Sequence, residues 1–273
     1  MAVAATRHVN ARRAGLKPGT VRVNERQVAY FSGGRGEPVV LLHGLGDDRH
    51  SFVESVSELT RHTRVILPDL PGHGDSEGSA EDAGSIRALV QWLAAFLDAL
   101  ALGSVSLGGN SMGGHVALAF ALSYGAHVNR LVLVNPAGVG MPMEKIYTGF
   151  GAPLGGREDL ERVFRRVFYK PHRVPSFIAA HLIKQINSAM PRYNEMARRL
   201  RDEPGIGLDH QLASIRVPTL VLWGVHDVVL LPSVREALRR IPDHRVVELP
   251  AGHSPQLELP GAVATELIAF LHP

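Results

Sequence analysis

The chain has 273 residues, 45% hydrophobic and 20% charged, which suits one large globular unit or a domain carrying an insertion. It contains no cysteine, which excludes disulfides, thiol catalysis and cysteine zinc sites. A net charge of only +3 makes no case for nucleic-acid binding, no long apolar run offers a membrane span, and the 14 histidines form no His-Glu-x-x-His or comparable cluster, so neither a metal nor another cofactor is expected.

Residues 1–20 carry Arg7, Arg12, Arg13 and Lys17 and no acid. They lack the apolar core of a secretory signal, so they read as a basic flexible tail on a cytoplasmic protein. Val21 to Phe31, broken by Asn24-Glu25-Arg26, reads as a β-hairpin opening the domain. Pro38 to Leu42 is a short run without polar alternation, as expected of a strand buried on both faces of a parallel sheet, and it ends in His43-Gly44-Leu45-Gly46. Phe52, Val53, Val56 and Leu59 follow helical spacing between Arg49 and Leu59. Arg64 to Leu67 is a strand that enters the loop Pro68-Asp69-Leu70-Pro71-Gly72-His73-Gly74-Asp75-Ser76. Ile86 to Leu100 is an amphipathic helix, and Leu131 to Val134 a further strand. Strands alternating with helices imply a mostly parallel, twisted sheet with helices on both faces, an α/β fold.

The rhythm changes after Asn135-Pro136-Ala137-Gly138. From 139 to 208 no strand is expected. Leu160, Val163, Phe164, Val167 and Phe168 define one helix, Ile178, Leu182 and Ile186 a second, and Pro191 to Arg201 a third. The block holds 12 Lys and Arg against 7 Asp and Glu, consistent with solvated helix faces. The α/β pattern then resumes, with strands Pro218 to Trp223 and Arg245 to Leu249 and helices Leu231 to Ile241 and Gly261 to Leu271. This predicts a core of residues 21–138 and 209–273 with a helical cap, 139–208, inserted over the site.

The stretch Val105-Ser106-Leu107-Gly108-Gly109-Asn110-Ser111-Met112-Gly113-Gly114 carries the chemistry. Strand formers lead into Gly-Asn-Ser-Met-Gly, and a helical pattern with Val116, Leu118 and Phe120 follows. G-x-S-x-G between strand and helix fits a nucleophile elbow, which pushes a serine hydroxyl out over the end of a sheet. A serine hydroxyl needs a base, and the base needs an orienting group. Asp227 follows the strand ending at Trp223, and His253 the strand ending at Leu249, which gives the order serine, acid, histidine. Asp209 and Asp243 lie near but do not directly follow a strand, His226 shares the acid's loop, and His244 begins a strand. Backbone N–H groups of Met112 and Leu45 are the expected oxyanion donors.

Leu-Leu-His-Gly (41–44), Asp-Leu-Pro-Gly-His-Gly-Asp-Ser (69–76), Gly-Asn-Ser-Met-Gly-Gly (109–114), Trp-Gly-Val-His-Asp (223–227) and Gly-His-Ser-Pro-Gln (252–256) stand in order, and on them the chain resembles the α/β-hydrolase superfamily from about Gln27 onward. The resemblance implies the α/β-hydrolase fold and, because Ser111 occupies the elbow where dehalogenases and epoxide hydrolases carry aspartate, serine hydrolase chemistry. Gly-Asn-Ser-Met-Gly-Gly followed by residues 131–140 is similar both to bacterial lipases and esterases and to hydrolases of meta-cleavage products. The latter commonly carry a Ser-Gly-Pro-Gly type oxyanion loop and a tryptophan after the histidine; this chain has Leu45-Gly46-Asp47-Asp48 and Ser254.

The expectation is therefore a carboxylic ester hydrolase acting on a small-molecule ester, with no cofactor, no nucleic-acid partner and a homodimer as a possible assembly. His43, Gly44, Asn110, Phe164, Phe168, Phe177 and Ile178 are the candidate substrate-pocket residues. The alternatives are a carbon–carbon bond hydrolase, a peroxide-using acyl transferase, and a small-molecule receptor with vestigial hydrolysis.

Overall fold

The computed structural model describes residues 9–171 and 174–272. One eight-stranded sheet organises the chain: β1 (Leu16–Val23), β2 (Arg26–Gly33), β3 (Pro38–Leu42), β4 (Arg64–Pro68), β5 (Val105–Ser111), β6 (Val128–Pro136), β7 (Thr219–Gly224) and β8 (His244–Leu249), in the spatial order β1-β2-β4-β3-β5-β6-β7-β8. The β1–β2 and β2–β4 pairs are antiparallel and all others parallel. Ligand sites in such sheets form where the strand order reverses, at the carboxyl ends of the strands. Here the reversal lies between β3 and β5, whose last paired residues are Leu42 and Gly109.

Successive residues of the apolar strands feed opposite faces, as the period of two requires. Val40 and Leu42 enter the core that holds Leu93 and Phe120. Val39 and Leu41 enter the one that holds Phe52 and Leu267. Three helices cover these faces: α1 (Ile86–Ala99), α2 (Met112–Ser123) and α3 (Pro260–Leu271). Helix α1 begins where the Ser85 hydroxyl accepts from Ala88 N–H at 3.1 Å, and it buries Leu89, Leu93 and Phe96. Truncating a fully buried leucine such as Leu93 to alanine should cost about 2–5 kcal/mol.

Between β6 and β7 the elements are helical. The longest are α4 (Arg157–Val167) and α5 (Ser176–Asp202). Both are amphipathic and enclose a small core of their own, with Leu154, Leu160, Ala179 and Met190 buried.

Three expectations need correction. The opening hairpin starts at Leu16 rather than Val21, so residues 16–20 of the expected flexible tail are strand; residues 1–8 lie outside the described part. Leu16 is buried, which anchors this earlier start. The segment from Arg49 to Leu59 is not an α-helix. It contains a 3₁₀ turn, Glu54–Val56, with a second at Leu59–Arg61, although Phe52, Val53, Val56 and Leu59 are all buried. Side-chain bonds hold its start in an irregular path: Asp48 accepts from His50 N–H, and Asp69 from Arg49 N–H. Finally, the second and third cap helices are one, because Pro191 lies inside α5. A proline within a helix costs about 3 kcal/mol. Burial of Met190, Met196, Ala197 and Leu200 on both sides offsets it. Among the described residues no helix is long and apolar enough to cross a membrane, and no cluster of His, Asp and Glu could hold a metal.

Candidate active site

Ser111 ends β5 and precedes the first residue of α2, with φ 53° and ψ −117°. A non-glycine residue there costs about 1–3 kcal/mol and persists only where its surroundings impose it. The elbow is packed too tightly to relax: a Cβ added at Gly113 would lie 2.3 Å from the Leu42 carbonyl oxygen, and one at Gly109 2.4 Å from Gly113 C. The turn thus seats α2 directly against β3. Met112 opens the helix, so its N–H has no intrahelical acceptor.

Asp227 lies in the loop after β7, and its side chain is inaccessible to solvent. One carboxylate oxygen accepts from Val229 N–H at 2.7 Å and Leu230 N–H at 3.0 Å. The other accepts from His253 Nδ1–H at 2.8 Å and from the Asn135 amide at 2.5 Å. Burial works to raise the Asp227 carboxyl, but the adjacent His253 charge and these hydrogen bonds outweigh it and hold the group below the usual carboxylate range. Nδ1–H directed at Asp227 leaves Nε2 of a neutral imidazole as the acceptor. Ser111 and His253 line one cavity of about 170 Å³, together with Leu45, Phe150, Val229 and Leu230.

Asp209, His226 and His244 are otherwise engaged, and Asp243 stands just before β8, at the opposite end of that strand from the histidine loop. Asp209 accepts from Gly140 N–H at 2.9 Å, and the Asp243 carbonyl accepts from Thr219 N–H at 2.9 Å. His226 stacks on Tyr169 with ring centres 3.6 Å apart, and His244 bonds the Ile241 carbonyl.

The sequence-predicted pocket residues divide. Gly44 packs beside Ser111, where an added Cβ would stand 3.3 Å from Ser111 Cβ. His43 is buried and serves the loop instead of the cavity. Its Nε2 accepts from Leu70 N–H at 3.0 Å, which places the ring proton on Nδ1, directed at the Gly44 carbonyl 2.7 Å away. Asn110 is likewise buried and bonds backbone, as developed below. Phe164 lines a separate cavity of about 400 Å³ with Leu160 and Tyr169, and Phe168 packs edge-to-face on Phe164 at 5.6 Å. Phe177 sits in the first turn of α5, 76% exposed, and Ile178 beside it is half-buried; neither lines the Ser111 cavity. The wall that the segment between β6 and β7 gives to that cavity is instead residues 146–150 with Val163, Arg166 and Val167. Of these, Val163 and Val167 belonged to a helical stripe in the sequence; the others stand in a Gly-rich stretch or on the polar side of α4.

Asn135 and Glu258 were not anticipated. Asn135, at φ 39°, accepts from Gly224 N–H at 2.8 Å while its amide bonds Asp227 and the Gly252 carbonyl, joining β6 to both the acid and the histidine loops. Glu258 accepts from Gly252 N–H at 2.5 Å and from Tyr169 N–H at 2.8 Å. The only sequence signal was their placement, one at the end of a strand and one just after the Gly-His-Ser-Pro-Gln motif.

Residues 39–266 match the profile of the alpha/beta hydrolase family. The chain is 31% identical to the dihydrolipoyllysine-residue acetyltransferase component of the acetoin cleaving system of Pseudomonas putida, over 94% of this chain and 70% of that one. It is 30% identical to lipase 3 of Moraxella sp. (strain TA144), over 86% and 77% of the two chains. Among solved structures it superposes on a membrane phospholipase A described as a bacterial virulence factor, with TM-score 0.90, 31% identity, and coverage of 98% and 89%. This chain therefore belongs to the alpha/beta hydrolase family.

Proposed function

We propose that the protein is a serine hydrolase of carboxylic esters. The observation that carries this reading is the 2.8 Å hydrogen bond from His253 to the buried Asp227, with His253 on the wall of the cavity that Ser111 also lines. Similarity to a lipase and to a phospholipase supports ester bonds as the target. His253 Nε2 removes the proton as Ser111 Oγ attacks the ester carbonyl carbon. The oxygen of the tetrahedral intermediate is met by the N–H groups of Met112 and Leu45. Collapse expels the alcohol, which leaves with the proton from His253, and Ser111 holds the acyl group. Water attacks next, with His253 again as base, and releases the acid. Asp227 fixes the Nδ1–H tautomer and stabilises the imidazolium. In this reading residues 139–208 form the cap, on a core of 21–138 and 209–273.

Steady-state hydrolysis of p-nitrophenyl esters tests it. Sustained turnover lost by at least about a thousandfold in Ser111→Ala is expected. A single turnover that then stalls would identify a receptor instead. Rapid cleavage of a carbon–carbon bond in a vinylogous dienoate, with little ester activity, would overturn the ester reading.

A further inference from the structure

Two cavities meet at Phe150. The one containing Ser111 and His253 encloses about 170 Å³. The second encloses about 600 Å³ along α5, where Leu182, Ile186, Met190 and Tyr193 line it. Among the described residues Phe150 is the one that lines both. Its ring lies against the oxyanion loop, so that a Cβ added at Gly46 would stand 2.5 Å from it; it also meets Tyr193, with ring centres 5.7 Å apart, and packs on the small core that holds Met190. The backbone beneath the ring is held: Phe150 N–H donates to Asn194 Oδ1 at 2.6 Å, and Asn194 Nδ2 donates to the Gly151 carbonyl at 2.9 Å. The ring is half-buried and carries no polar anchor, so the side chain is the part of this wall that can be removed without dismantling the loop.

We propose that Phe150 is a specificity-determining partition. It closes the cavity of Ser111 against the larger one, which is a second subsite for an unbranched acyl or alkyl chain too long for the first. Leu182, Ile186 and Met190 supply apolar lining. The polar lining includes Asp47 and Asp48 but also Lys184 and Arg192, so charge does not select the ligand. In the protein as it stands, the partition favours short chains. The inference rests on the ester reading for its catalytic consequence, though not for the binding it predicts.

The test pairs kinetics with binding. Each additional buried methylene contributes about 0.8 kcal/mol, so two more give about a tenfold gain. In Phe150→Ala the ratio of kcat/KM for a long-chain to a short-chain p-nitrophenyl ester should rise at least about tenfold over wild type. Affinity for dodecanoate relative to butanoate, measured by calorimetry, should rise by a similar factor. Filling the second cavity with Ile186→Trp on the Phe150→Ala background should abolish both gains. Unchanged ratios in Phe150→Ala, or gains that survive Ile186→Trp, would overturn the partition. Absence of ester turnover in wild type would remove the ester reading, while the fatty-acid series would still decide on Phe150. If Phe150→Ala does not fold, Phe150→Val carries the same expectation with a smaller gain.

Discussion

The side chain of Asn110 holds the main chain of His253. Its amide donates to the His253 carbonyl and to the Val134 carbonyl, each at 3.0 Å. The residue just before the proposed nucleophile thus fixes the backbone of the proposed base, so that the two reacting groups share one rigid mount. In Asn110→Ala both carbonyls lose a buried donor, and each unpaired group costs about 1–3 kcal/mol. A displacement of about 1 Å between reacting groups is enough to lower kcat about a hundredfold. Asn110→Ala should therefore lower kcat by about ten- to a hundredfold while KM changes much less. Steady-state kinetics with one ester decides the matter, with circular dichroism to confirm folding. A folded variant with kcat within twofold of wild type would refute the coupling.

A second prediction concerns acid stability. His115 is buried in α2, where Nε2–H donates to the Ile206 carbonyl and Nδ1 accepts from the Tyr147 hydroxyl, each at 2.8 Å. Burial pushes its pKa from 6.5 down to about 4, despite the opposing carbonyl contact. The unfolded chain thus takes up a proton near pH 6.5 that the folded chain refuses until about pH 4. Stability from this group is full above 6.5 and is lost as pH falls through that window, by on the order of 3 kcal/mol at most. Thermal unfolding followed from pH 7.5 to 4.5 should show a smaller decline for His115→Gln than for wild type, even if the variant starts lower. Parallel slopes would show that His115 does not contribute. His73, buried and held near 3 chiefly by desolvation, adds to the decline in both proteins.

Legibility in the sequence follows how local each cause is. Val39-Val40-Leu41-Leu42 announces a central strand because both faces are buried, so every residue is apolar. Ser111, Asp227 and His253 could be proposed from sequence because a parallel sheet places candidate functional groups just past strand ends, a rule that operates on short sequence windows. The cavity wall was not found. Residues 147–154 carry two glycines and a proline and have no periodicity. Their path is set by side chains 44 and 33 residues away, Asn194 bonding Phe150 and Asn187 bonding Leu154. Phe177 was expected to line the substrate pocket, yet it projects from the first turn of α5 into solvent. Pro191 read as a breaker because its cost is local, whereas the burial that offsets it is tertiary.

The contact between Gly46 and Phe150 makes a third prediction. Gly46 has φ 80°, so alanine is strained there by about 1 kcal/mol, and its Cβ would also collide with the Phe150 ring. Gly46→Ala should displace the loop that presents Leu45 N–H and lower kcat by about tenfold or more. The same substitution on the Phe150→Ala background removes the collision and leaves only the backbone strain. A double-mutant cycle on kcat should therefore show positive coupling of about 1 kcal/mol, with Gly46→Ala milder when the ring is absent. Additive effects would mean that the ring and the loop do not press on each other.

Glu258 supplies the last test, because it ties the histidine loop to the cap. One carboxylate oxygen accepts from Gly252 N–H at 2.5 Å, next to His253; the other accepts from Tyr169 N–H at 2.8 Å and Lys170 N–H at 3.2 Å. A parallel tie runs from His253 N–H to the Val167 carbonyl at 2.8 Å. The end of α4 is thereby fastened to the loop that aims the imidazole, and the cap wall contributed by Val163 and Val167 moves with it. Removing the carboxylate leaves three N–H groups without their acceptor and frees this corner of the cap from the sheet. Glu258→Ala should raise KM several-fold and lower kcat about tenfold, and amide exchange at 168–170 and at Gly252 should accelerate while that of β5 and β6 stays slow. Glu258→Gln keeps one acceptor oxygen, so it should fall between the two. Faster exchange throughout the sheet in Glu258→Ala would instead identify Glu258 as a support of global stability with no particular link between cap and histidine.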